Sequence, residues 1–178
     1  DVGLSPYSPD GHSTVITSEG INEKESYIRA SKLAVAFAKS GADYVAPCLS
    51  LHEQVKHIRS ALDSQGLTKT KVLAYSSKFS SSLYGPYRST IQSVLKAENK
   101  KSYQTDYSNP EEGLKQILSD ELQGADIVIV KPGMIYLDIL YRARTLTNLP
   151  LAVYHVSGEY MMLKLGAKAG ALNENEVF

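Results

Sequence analysis

The chain has 178 residues, 43% of them hydrophobic and 21% charged, which is enough for an ordinary globular core and excludes a disordered chain. Lys plus Arg equals Asp plus Glu at 19 each, so the formal charge is zero and nothing marks a nucleic-acid or membrane-surface footprint. The single cysteine, Cys48, excludes an intrachain disulfide and fits a reducing compartment; no apolar run is long enough for a membrane span.

The chain opens without methionine in a strand-like run, Asp1-Val2-Gly3-Leu4, and stops just after the beginning of what reads as another helix, so the sequence is expected to be a fragment. A helix is predicted from about Asn22 to Lys39. Asn22 caps it, Glu25 three residues on completes a capping box, and Ile28, Leu33, Val35, Ala36 and Phe37 supply its apolar face. Asp43-Tyr44-Val45-Ala46 reads as a short buried strand. A helix follows from about Glu53 to Gln65, with Val55, Ile58 and Leu62 on one side. Next come strand 71–77, a helix from about Pro86 to Leu95, and a polar, loop-like stretch from Lys96 to Asn109. A helix from about Pro110 to Gln123 has proline in its first turn. Strand 126–131, a helix near 136–146, strand 151–156 and a helix near 159–169 complete the chain.

Continuous apolar strands alternating with helices predict a parallel sheet covered by helices. No Gly-x-Gly-x-x-Gly and no Walker loop is present, which disfavours a nucleotide-binding sheet. Polar residues gather at the C-terminal ends of several strands: Asp1 onward, Pro47-Cys48, Ser77-Lys78, Lys131-Pro132 and His155-Ser157. That distribution favours a (β/α)8 TIM barrel, of which five strands are countable, so 1–178 is expected to be one partial barrel domain.

Two of these strand ends carry a lysine. Most strand-end lysines extend their ammonium into water. A lysine held in an apolar site instead loses hydration, its pKa falls, and the neutral amine becomes a nucleophile toward ketones. Lys78 and Lys131 sit in peptides rich in turns and polar aromatics, and two such amines suggest an enzyme that holds two carbonyl substrates.

Three stretches carry a resemblance: Tyr75-Ser-Ser-Lys-Phe-Ser-Ser-Ser-Leu-Tyr-Gly-Pro-Tyr-Arg88, Gly124-Ala-Asp-Ile-Val-Ile-Val-Lys-Pro-Gly-Met-Ile-Tyr-Leu-Asp138 and Leu149-Pro-Leu-Ala-Val-Tyr-His-Val-Ser-Gly-Glu159. They resemble the porphobilinogen synthase (5-aminolevulinate dehydratase) family over nearly the whole chain. The resemblance implies a homo-octameric barrel lyase of tetrapyrrole biosynthesis, with this chain covering about strands three to seven. Such enzymes join two 5-aminolevulinate molecules through Schiff bases. It implies Lys131 for the substrate that gives the propionate side chain and Lys78 for the one that gives the acetate side chain. It further implies Arg88 and Lys100 for the second substrate's carboxylate, Gln104 as a substrate-binding residue in the matching Tyr-Gln pair, Ser157 near the first substrate's carboxylate, Tyr84 flanking the site and Asp1 close to the second substrate. The implied location is the cytoplasm, or a plastid in a photosynthetic eukaryote.

The chain departs from that pattern at the metal sites. Gly3, Ser5 and Ser13 stand where zinc-using members carry cysteines, and Gln116 stands where the family's allosteric magnesium glutamate falls, so no metal cofactor is expected. Segment 48–54 also differs from the family, and the matching serine, aspartate and arginine support the second pocket. Cys48 reads as a buried free thiol. His52 and His57 are five apart and cannot share one helix face as zinc ligands do. His12 matches a family position, and His155 reads as a packed, hydrogen-bonded residue. One rival reading is a diverged paralogue that keeps the fold as a binding or assembly protein; another is an aldolase-like lyase, which the paired lysines disfavour.

Overall fold

A computed structural model describes residues 1–8, 11–90 and 103–177. Its framework is a parallel sheet of β3 (Tyr44–Val45), β4 (Lys71–Lys78), β5 (Ile127–Lys131) and β6 (Leu151–Val153), in that order. Val2 adds to the outer side of β3 through one parallel bridge to Pro47. Sheet order therefore follows chain order. A doubly wound sheet would reverse its order partway, whereas a barrel wall does not, so this is an arc of a (β/α)8 barrel. A two-residue hairpin, β1 (Ile16–Thr17) and β2 (Gly20–Ile21), precedes the first helix; strands this short leave no alternation to read in the sequence.

Helices α1 (Glu23–Lys39), α2 (Gln54–Ser64), α4 (Pro110–Leu122) and α5 (Leu137–Leu146) cover the outer face of the arc. The short α3 (Gly85–Thr90), α6 (Ser157–Lys168) and α7 (Glu174–Val177) follow the ends of β4 and β6. Strands alternate as a barrel wall requires. Val45, Val72, Ala74, Val128 and Val130 join the helix-side core, whereas Ala46, Tyr75 and Ile129, with Leu73 and Ala152, form a separate inner cluster. At the base, the Asp126 carboxylate accepts from Val72 N at 2.8 Å and pairs with Lys71 at 3.1 Å, locking β4 against β5.

The structure corrects several local expectations. Asn22 caps α1, accepting from Glu25 N at 2.9 Å, but Glu25 turns to Arg29 instead of closing a capping box. The buried face of α1 is Ala30, Ala34 and Ala38 with Ser26 and Tyr27; Ile28 and Ala36 point outward. Small residues at i, i+4 spacing let α1 lie close to β3 and α2, a packing that hydrophobicity alone does not reveal. Tyr44 in β3 is half-exposed rather than buried. β6 stops at Val153, shorter than 151–156. In α2, Val55, Ile58 and Leu62 are buried as expected. The predicted helix after Pro86 is described only as far as Thr90, and residues 91–102 of the expected helix and loop lie outside the described residues.

Candidate active site

Both lysines face one cleft at the C-terminal ends of the strands, and a local irregularity makes this happen. Ala74 pairs with Val128 and Ser77 with Val130, so Tyr75 and Ser76 together oppose Ile129. This bulge reverses the parity of β4. Without it Tyr75 and Lys78, three residues apart, would point to opposite faces. With it Ser77 points to the helices, donating to Gly113 O at 2.7 Å, and Lys78 points inward, directly opposite Lys131 on β5.

The cleft has a volume of about 430 Å3. Asp1, Lys78, Tyr84, Arg88, Gln104, Lys131 and Ser157 all line it, from positions spread over more than 150 residues of chain. Lys100 lies outside the described residues. Tyr75, Tyr87, Cys48, Tyr154, His155 and Tyr160 complete much of the wall.

Lys78 is 7% exposed, and its ammonium donates to Cys48 O at 2.6 Å. Burial drives its pKa below the ordinary lysine value, because the charged form loses water that one carbonyl does not replace. Lys131 is pushed down to about 8, first by burial and then by the charge of Lys78. Its ammonium sits 3.8 Å from the Tyr154 ring centroid, 5.0 Å from Tyr75 and 5.5 Å from Tyr84. These faces attract the cation, yet burial prevails.

The surrounding groups are held by β-strand ends and helix starts. Tyr84 donates to Phe79 O at 2.7 Å, and burial raises its phenol pKa. The Arg88 guanidinium lies 5.6 Å from the Tyr84 ring and is directed to the cleft rim. Ser157 Oγ accepts from Tyr87 N at 3.1 Å, tying α6 to α3. Gly158 makes that approach feasible: a Cβ there would stand 2.5 Å from Leu83 O. Gln104 is held by the short pairing of Phe79 with Thr105 at the end of β4. It is 4% exposed, and its amide oxygen has no partner among the described residues. Asp1 accepts from the Tyr75 hydroxyl at 2.9 Å.

Sequence reasoning missed the tyrosine wall, because Tyr75 and Tyr154 read as strand residues until the bulge and the strand end set their direction. It also missed Glu159. This fully buried carboxylate accepts from Met134 N at 2.7 Å, Val156 N at 2.8 Å and Gly133 N at 3.3 Å. It thereby joins the turn after Lys131 to the start of the helix that carries Ser157.

The expected zinc positions do not suit zinc. Gly3, Ser5 and Ser13 line the cleft without a thiolate, and Cys48 Sγ fills the space beside Gly3, 2.6 Å from where a Cβ would be. Among the described residues no group of three or more His, Cys, Asp or Glu is placed to hold a metal ion. Gln116 bonds His52 Nδ1 at 2.9 Å and donates to Asp120 at 2.8 Å. His57 stacks on Tyr27 at 4.4 Å, so the two histidines of α2 and its approach serve different contacts. His12 bonds the Tyr103 hydroxyl at 3.1 Å.

Two expectations are corrected here. His155 is exposed at the cleft, with Nε2 2.8 Å from Met134 Sδ, because β6 ends before reaching it. Cys48 is only partly buried and lines the cleft. Within the altered segment Leu49, Leu51 and Gln54 are buried, and Gln54 Oε1 accepts from Leu49 N at 3.0 Å, whereas His52 is exposed.

The family model "Delta-aminolevulinic acid dehydratase" matches residues 1–178. The chloroplastic delta-aminolevulinic acid dehydratase of Chlamydomonas reinhardtii is 42% identical over 99% of this chain and 47% of its own length. The Escherichia coli K12 enzyme is 42% identical over 99% of this chain and 54% of its own. A crystal structure of the Toxoplasma gondii enzyme, in complex with its product porphobilinogen, superposes with a TM-score of 0.95 at 41% identity, covering 99% of this chain and 51% of that one. The chain thus spans about half the length of the curated relatives it matches. With this match over every position, the chain belongs to the delta-aminolevulinic acid dehydratase family.

Proposed function

We propose that the protein to which this chain belongs condenses two molecules of 5-aminolevulinate into porphobilinogen, with loss of water. The observation that carries the reading is the pair Lys78 and Lys131, directly opposite each other on β4 and β5 in one cleft, both with lowered pKa. A neutral amine adds to the substrate ketone, and the carbinolamine loses water to give an imine. Once protonated, the imine draws electrons from the adjacent carbon, which eases proton loss there and carbon–carbon bond formation. Lys131 takes the first substrate and Lys78 the second. Ser157 meets the first carboxylate; Arg88, with Lys100, meets the second, and a guanidinium at the rim is suited to grip it bidentately, with Gln104 a further substrate-binding residue. Tyr84 flanks the site, and Asp1 lies close to the second substrate.

No metal is assigned to this chemistry, since glycine and serine offer no soft ligand at positions 3, 5 and 13. Gln116, a neutral amide engaged by His52 and Asp120, is a poor magnesium ligand. We assign the assembly as a homo-octamer and the location as the cytoplasm or a plastid, the latter in keeping with relatives named chloroplastic. No helix among the described residues is long and apolar enough to cross a membrane.

Borohydride reduction of the full-length protein with 5-aminolevulinate, followed by peptide mass mapping, tests the reading. Substrate trapped on both lysines is expected. Finding neither modified refutes it, and favours a diverged paralogue whose altered 48–54 segment has cost it the activity.

A further inference from the structure

Tyr75 stands where the two halves of the cleft meet. The bulge that turns Lys78 inward leaves Tyr75 on the same side. Its ring is 3% exposed, lies 5.8 Å from the Tyr154 ring, and presents its face to the Lys131 ammonium at 5.0 Å. Its hydroxyl reaches the other way and donates to Asp1 Oδ1 at 2.9 Å. The segment of Asp1 is anchored at Val2, which is buried and bridges Pro47 through bonds of 2.7 Å to Ala46 O and 3.1 Å from Cys48 N; these hold the backbone next to Asp1 but do not orient its carboxylate. Charge-assisted bonds of an O–H to a carboxylate are among the stronger ones, and this one comes from a buried, rigid ring on a central strand.

The geometry points to Tyr75 as a positioning residue for the condensation: its hydroxyl fixes the Asp1 carboxylate for the second substrate, while its ring forms the wall of the Lys131 site. The inference rests on the condensation reading above. Burial raises the phenol pKa, so the group remains a hydrogen-bond donor and not a proton acceptor at neutral pH.

Tyr75→Phe in the full-length protein keeps the ring and removes only the hydroxyl. KM for 5-aminolevulinate is expected to rise about tenfold, the usual scale for a lost bond to a charged group, with kcat changed less than about twofold. Borohydride should still trap substrate on Lys131. Asp1→Ala should also raise KM, and adding Tyr75→Phe to it should raise KM no further, because the hydroxyl acts through that carboxylate. Tyr75→Met fills the space but removes the ring with the hydroxyl, so a rise at least as large is expected from it, should the phenylalanine variant fold poorly. An unchanged KM in both variants, or additive effects in the double variant, overturns the assignment while leaving the condensation intact. Loss of the Lys131 adduct in Tyr75→Phe also overturns it, by placing the hydroxyl in imine formation. Absence of any adduct in the unsubstituted protein overturns both readings.

Discussion

Lys131 is expected to be an unusually available nucleophile at neutral pH. Its pKa of about 8, against an ordinary 10.5, leaves about one tenth of it neutral at pH 7, compared with about 0.03% for an exposed lysine. That is an enrichment of about 300-fold in the reactive form. Competitive acetylation across pH, read by mass spectrometry of the Lys131 peptide, should give a reactivity midpoint near 8. Lys78→Met removes the second cause of the shift, so the midpoint should rise, but burial is the larger cause and keeps it below 10.5. The same shift bears on stability. Between pH 8 and 10.5 the unfolded chain holds a proton that the folded chain has released, so stability should increase with pH through that window. Below it, the folded protein carries a poorly hydrated charge, and Lys131→Met should stabilise it at pH 7 by about 1–3 kcal/mol, partial solvent access reducing the full value. A midpoint above 10, unmoved by Lys78→Met, would refute the reasoning.

Gly158→Ala would press a methyl against the backbone of Leu83 and is expected to cost about 1–3 kcal/mol in denaturant unfolding while raising KM through Ser157 and Tyr84. Tyr84→Phe strands the Phe79 carbonyl and should lower stability by about 1–3 kcal/mol, seen as a lower melting temperature. Asp120 is pushed up from 3.8 to about 6 by burial, so the folded state binds its proton more tightly and stability should fall as pH rises through that interval. Asp120→Asn, which preserves the acceptor for Gln116, should flatten that fall and stabilise the protein by about 1–3 kcal/mol at pH 7, with little effect at pH 4. A zinc chelator should leave turnover of the full-length protein intact; strong inhibition reversed by zinc would show a metal site that positions 3, 5 and 13 do not explain.

The order of strands and helices was legible because buried parallel strands are written as unbroken apolar runs and each is followed by a turn and a helix. Lys78 and Lys131 were legible as residues, but their facing each other was not. Simple alternation from Tyr75 gives the wrong side for Lys78, and nothing in Ser76-Ser77 announces the extra residue. The apolar face of α1 was misread because close packing selects alanine, whose hydrophobicity is weak, over Leu33 and Phe37, which lie at the margin of the contact. His155 reads as packed in the sequence, but β6 ends at Val153 and leaves it exposed at the cleft. Glu159 closes the third family-like stretch with nothing beside it to mark burial, and the three backbone donors around it explain the buried carboxylate.

The bulge in β4 also governs how this strand can change. Residues before it and after it are read in opposite phases, so deleting Ser76 would restore simple alternation with Lys78 still opposite Lys131, whereas regular pairing of the undeleted strand would turn Lys78 toward the helices. A graft of the lysine peptide with Ser76 and Ser77 both present would have to reproduce the bulge in its new barrel. The amine's chemistry is thus inherited with a count of residues as much as with their identity.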